Sequence, residues 1–279
     1  MLSTHVPPAA PPEKCPSCGA DFVGKYCHAC GEKRLSAKDF RVSKYARALF
    51  EHFSHFDSKL LRTLWLLASK PGFLTAEFVA GRRNRYLKPL QVFLLANLAF
   101  FFLFEQNDVF APKLKFIYRS EMRDWSGQSV RELTDAYALR EQISTETAIE
   151  TIDTKSGNYT KGLLYLIVPA LALVCHALFF RQNPYFLCSL IFATHWLAFL
   201  LVFIMSVGAV VVGGFGLHGV PVLASLLALL MPYHYLATRH FFGQSAWVTG
   251  LKTVPFFAAF VLIYLLYREF ILFLTLHTI

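Results

Sequence analysis

Charge is what this 279-residue sequence has least of: Asp, Glu, Lys and Arg make up 16% of it, against 55% hydrophobic residues. Soluble domains run near a quarter charged, so the scarcity excludes an ordinary water-soluble enzyme. No cleavable leader is expected either. The first dozen residues are rich in Pro and Ala with no apolar run behind them, so the first span is expected to direct insertion itself. The sequence shows no nucleophile–base pattern, no carboxylate pair spaced for acid/base work and no metal site with an open position. Enzymes therefore come last among the function classes. There is no inverted repeat, and five spans do not divide into halves, which counts against a stand-alone secondary transporter.

What is present is apolar and aromatic. Phe alone contributes 28 residues, and mean hydropathy is +0.44. Apolar runs cover 89–104, 162–180, 185–212, 217–238 and 253–276. A bilayer core about 30 Å thick takes about 20 helical residues. The first run is short and spans only if Leu87, Lys88 and Glu105 sit at the interfaces; the other four are long enough. The expected fold is an all-α polytopic membrane bundle of about five spans over 89–279.

Charge asymmetry orients the bundle. Residues 1–88 hold fifteen Lys/Arg against seven Asp/Glu, whereas 105–161 hold eight against ten. Excess Lys/Arg beside the first span marks the cytoplasmic side, so the N-terminus is expected inside and 105–161 outside. The links at 181–184 and 239–252 then fall inside, each with at least one basic residue. The uncharged Gly213-Gly214-Phe215-Gly216 link falls outside.

Four of the six cysteines form one pattern: Cys15-Pro-Ser-Cys18-Gly19, then Cys27-His28-Ala29-Cys30-Gly31 after eight residues. Two Cys-x-x-Cys-Gly turns supply four thiolates for a tetrahedral structural Zn²⁺, each glycine allowing a tight turn. Two disulfides are the alternative reading, disfavoured on a reducing cytoplasmic face. Four thiolates close the coordination shell, which argues against catalysis, and His28 reads as a spectator. Gly24-Lys25-Tyr26 between the turns suggests a short β-hairpin. Residues 1–35 are thus expected to be a zinc ribbon folded largely by its metal.

Residues 36–88 read as amphipathic helices at the headgroup boundary. One covers 38–56, with Tyr45, Leu49, Phe53 and Phe56 on one face. A second, capped by Asp57, covers 58–69 and stops at Lys70-Pro71-Gly72. A short third begins near Thr75 and ends by Gly81. Arg82, Arg83, Arg85 and Lys88 follow, as a topology anchor or a contact to anionic lipid headgroups. Nucleic acid is a weaker partner for basic residues placed at the membrane boundary.

Three features together resemble a family of bacterial membrane proteins, that of domain of unknown function 3667: the Cys-x-x-Cys pair, Leu61-Arg62-Thr63-Leu64 leading to Pro71-Gly72, and Gly81-Arg82-Arg83-Asn84-Arg85-Tyr86 with Pro89. The resemblance covers roughly residues 15–100. It implies a zinc-ribbon, multi-span protein of the bacterial inner membrane and brings no activity or catalytic residues with it.

Polar residues inside lipid are costly and so informative. Asn97, His176, His195 and His234 are the candidates, His195 being the deepest imidazole; Cys175 and Cys188 fall in the same inner half. A His/Cys metal, haem or proton-relay cluster is one reading, and pairing with neighbouring backbone or hydroxyl groups is the blander one. Arg268-Glu269 marks the outer interface, with 270–279 lying along it. In the external segment, 129–152 carries Val130, Leu133, Tyr137, Ile143 and Ile149 in helical rhythm and is expected to form a solvated helical cap. The functional expectation is a non-enzymatic membrane protein whose ribbon docks or assembles a cytoplasmic protein partner. The alternative is a transporter or channel subunit for a small solute, ion or lipid.

Overall fold

The computed structural model describes residues 14–22, 24–34, 59–103, 114–118, 122–215 and 220–279, without the side chains of 115–116 and 208–227. Its elements are α1 (Lys59–Ser69), α2 (Phe73–Val79), α3 (Pro89–Leu103), α4 (Leu114–Tyr118), α5 (Val130–Glu141), α6 (Thr145–Leu163), a 3₁₀ turn (Leu164–Leu166), α7 (Ile167–Phe179), α8 (Phe186–Phe215), α9 (Val220–Phe242) and α10 (Ala246–Thr278). Only isolated β-bridges accompany them among the described residues. The fold is all-α, with a cysteine cluster ahead of the helices. The expected helix over 38–56 and its neighbour's Asp57 cap lie outside the described residues.

Three stretches are long and apolar enough to cross a membrane: Thr145–Phe179, Phe186–Val207 and Ala246–Thr278. Pro89–Leu103 is apolar but shorter, about 22 Å at 1.5 Å per residue. Of the five expected spans, the second differs most. It does not start afresh at Gly162, because α6 runs directly into the 3₁₀ turn and α7. Pro169 explains the turn: it offers no N–H to the carbonyl of Tyr165 and its ring crowds that carbonyl, so the helix tightens one turn earlier. In the third run, α8 stays helical through Gly213-Gly214-Phe215, where a link was expected. The fourth run is the helix α9.

The chain divides into two compact units, residues 1–100 with 171–257 and residues 101–170 with 258–279. In the first, α2 is not a surface helix. Leu74, Thr75, Glu77, Phe78 and Val79 are buried, and it packs on α8 and α9, so the headgroup-boundary expectation fails for this helix. Its entry needs Gly72, which has φ 77°, and its exit is tied by a bidentate Arg82–Glu77 pair. α1 buries Thr63 and Leu67 and leaves Leu61 and Trp65 exposed.

In the second unit, the helical rhythm expected over 129–152 resolves into α5 and α6. Ser129 caps α5 by accepting from Glu132 N–H, and Ser144 caps α6 by accepting from Thr147 N–H. Leu114, Val130 and Ile152 pack with Leu272 and Leu276. Residues 270–279 therefore do not lie along an interface as a separate segment. They continue α10 to Thr278, and Phe270 and Phe273 receive the ring of Trp125, each at 6.1 Å between centroids.

Candidate metal centre

Each Cys-x-x-Cys turn folds as a small knuckle, and the two share one register. Lys14 pairs with Asp21 and Tyr26 with Lys33 as antiparallel bridges, the same spacing about each cysteine pair. In the first, Gly19 N–H donates to Cys15 O and Cys15 N–H to Ala20 O, both at 2.8 Å; in the second, Gly31 donates to Cys27 O and Cys27 to Glu32 O at the same distance. Gly19 and Gly31 have φ of 79° and 70°, a left-handed conformation open to glycine at little cost. The bridges close each knuckle on itself, so the hairpin expected around Gly24-Lys25-Tyr26 is replaced by two separate ones.

The four sulfurs of Cys15, Cys18, Cys27 and Cys30 lie within 4.8 Å of one another. Cys15 Sγ and Cys30 Sγ are 3.5 Å apart, as are Cys18 Sγ and Cys27 Sγ. A disulfide needs about 2.05 Å, and all six cysteines are free. Four thiolates around a tetrahedral ion with bonds near 2.3 Å sit about 3.8 Å apart, so the donor set and its spacing fit a metal ion. Both close pairs run between knuckles, so an ion at their centre would tie the two together.

The thiols do not behave alike. Burial pushes the Cys27 thiol up, but backbone N–H groups of Cys30 and Ala29 and the neighbouring thiols outweigh it and bring it down to about 6. Cys30 moves the other way. The Glu32 N–H pulls it down, yet burial and three thiol neighbours lift it to about 12. Thiolates crowded this closely repel, and a cation among them relieves the repulsion. His28 is exposed and outside the donor group.

Sequence reasoning missed the residues that hold this centre in place. Glu32 is buried, at 2% exposure. Its Oε2 accepts from Ser17 Oγ of the first knuckle at 2.8 Å and from the backbone N–H groups of Arg83 and Asn84, each at 3.0 Å. Asn84 Nδ2 donates to Cys30 O at 3.1 Å, and the Arg85 guanidinium donates to Ser17 O. The signal was present, since Glu32 directly follows the second Cys-Gly and Asn84 stands alone within the arginines. Reading 82–88 for charge alone hid it.

The basic cluster accordingly has protein partners. Arg82 pairs with Glu77, Arg83 Nε donates to Phe78 O at 3.2 Å, and Arg85 reaches Ser17. Lys88 N–H donates to Gln91 Oε1 and Leu87 N–H to Thr63 Oγ1. A loop without regular structure thus has its N–H groups met by side chains, as buried backbone requires.

The intramembrane candidates are not gathered into one site. His195 Nδ1 lies 3.0 Å from Thr75 Oγ1, which joins α8 to α2. His234 is fully buried, stacked on Phe256 at 3.8 Å and flanked edge-on by Phe192, Trp196 and Phe257. Neither of its ring nitrogens has a hydrogen-bond partner among the described residues. His176 Nδ1 and Asn97 Oδ1 are likewise without one. The His176 ring meets Phe186 edge-on. Cys175 and Cys188 are buried free thiols. Among the described residues the four cysteines Cys15, Cys18, Cys27 and Cys30 are the one group of three or more side chains placed to hold a metal.

Comparison with known proteins bears on the segment next to the ribbon. Residues 57–101 match the model of a family described as protein of unknown function, DUF3667. The match takes in α1, α2, the loop over 81–88 and most of α3, and the four cysteines lie outside it. No curated protein matches the chain, and no solved structure does.

Proposed function

We propose that the chain is a non-enzymatic, multi-pass protein of the bacterial inner membrane whose N-terminal ribbon binds structural zinc and serves as a cytoplasmic docking or assembly module. The observation that carries this reading is the two-sidedness of the ribbon. One side, through Ser17, Glu32 and Cys30, is fixed to the loop over 83–85. The other leaves Lys25, Tyr26, His28 and Ala29 exposed, Tyr26 to 62%. A module that recruits a partner needs one anchored face and one presented face.

Zinc suits the donor set best, because four thiolates in a tetrahedral array are its common structural site, and a closed shell leaves no position for a substrate. The charge asymmetry about the first span supports a cytoplasmic N-terminus, where thiols stay reduced. Apolar side chains exposed along α10, among them Trp247, Leu251 and Val254, suit contact with lipid.

The test is a photo-crosslinking residue placed at Tyr26 of the full chain in cells. The expected result is one discrete adduct with a cytoplasmic protein, formed in the parent and lost in Cys18→Ser. No adduct, together with ion or lipid movement by the purified chain alone in liposomes, would replace docking with transport.

A further inference from the structure

One carboxylate oxygen is shared by three parts of the molecule. Glu32 Oε2 accepts from Ser17 in the first knuckle, sits on the second knuckle itself, and takes two successive N–H groups of the loop leading to α3. Asn84 and Arg85 return contacts to carbonyls of both knuckles, at Cys30 and Ser17. Three consecutive residues, 83–85, thus bind the two knuckles jointly, and they can do so only while the knuckles are held side by side.

We infer that metal occupancy of the four-cysteine site sets the fold of residues 81–88, with Glu32 as the positioning residue that transmits it. This rests on the metal reading of the cysteines. Each knuckle has only a few residues and little apolar surface, so the thiolate–metal bonds are the main force joining them. Once joined, they bring Ser17 Oγ to Glu32, and the buried carboxylate is satisfied by three donors. Buried charges require such donors, and hydrogen bonds to an ionised acceptor are stronger than neutral ones. With the knuckles apart, Glu32 loses Ser17 and regains water, and the Arg83 and Asn84 N–H groups lose their acceptor.

The consequence reaches the bundle. The loop is tied to α2 through Arg82–Glu77, to α1 through Leu87 N–H and Thr63, and to the first turn of α3 through Lys88 N–H and Gln91. Metal loss would therefore free the loop at the point where it enters α3, and free Arg83 and Arg85 from the ribbon. Coupling of this kind is reciprocal: if metal tightens the clasp, the clasp tightens metal binding by the same factor.

The experiment measures amide hydrogen exchange over 81–88 in the full chain in lipid nanodiscs, zinc-loaded and chelator-stripped, with zinc content determined in parallel. Stripping is expected to speed exchange of the Arg83 and Asn84 amides about tenfold or more, the size of one lost charge-assisted bond. Glu32→Ala is expected to speed the same amides while zinc is present and to weaken zinc binding by a similar factor. Glu32→Gln keeps an accepting oxygen and should recover part of both. Unchanged exchange on stripping a chain shown to have held zinc would overturn the coupling and leave the metal site standing. Unchanged exchange in Glu32→Ala would do the same. A chain that takes up no zinc would overturn both.

Discussion

Gly72 stands against the backbone of Ala237: a Cβ added to Gly72 would lie 2.5 Å from the Ala237 carbonyl oxygen. The neighbour is main chain near the C-terminal end of α9, so no rotamer change relieves the contact. Gly72 also has φ 77°, which a side chain disfavours. Gly72→Ala is expected to destabilise the chain by about 2–4 kcal/mol, combining left-handed strain with overpacking. The unfolding midpoint in detergent measures it, and a midpoint equal to the parent's would show that α2 does not seat against α9 in this way.

Thr63 is buried at the centre of α1, where its hydroxyl donates to Lys59 O at 2.6 Å and accepts from Leu87 N–H at 3.1 Å. Thr63→Val keeps the shape and removes the acceptor, leaving a buried N–H unmet. The expected cost is about 1–3 kcal/mol. Thr63→Ser keeps the oxygen and should recover most of it. Equal midpoints for the Val and Ser variants would contradict the bridge.

Two buried histidines are expected to respond with opposite signs. His195→Phe breaks the contact with Thr75 and should cost about 1–3 kcal/mol, since the Thr75 hydroxyl is left without its ring partner. His234→Phe replaces an imidazole, whose nitrogens have no hydrogen-bond partner among the described residues, inside a shell of Phe192, Trp196, Phe256 and Phe257. It is expected to be neutral or to stabilise by up to about 2 kcal/mol, because burying an unpaired polar group is unfavourable. Thermal unfolding of the pair decides the matter. A large loss in His234→Phe would mean that the imidazole has a partner or a ligand after all.

Metal analysis of the purified chain should give about one zinc per chain, and Cys18→Ser should lower it to background, since a structural site needs all four ligands. Zinc content unchanged on replacing all four cysteines would remove the metal from this site. Replacing Cys175 or Cys188, both buried away from the donor group, should leave zinc content as it was.

Much of this architecture is legible in order along the chain. The helical class follows from the length of the apolar runs, because backbone polar groups in lipid must be met within the helix. The cysteine cluster follows from Cys15, Cys18, Cys27 and Cys30, because each Cys-x-x-Cys-Gly turn is a local structure that a few residues define. What the sequence could not decide was which partner each polar or basic group would take from a distant part of the chain. Arg85 looks like a headgroup anchor until Ser17, 68 residues away, is placed beside it. Glu32 meets the Arg83 and Asn84 amides, and His195 the Thr75 hydroxyl, only once the chain has folded. Those outcomes belong to the tertiary structure. Periodicity and spacing report on neighbours a few residues apart, whereas the partner of a buried polar group is chosen by packing across 51 to 120 residues, where only the folded chain brings donor and acceptor together.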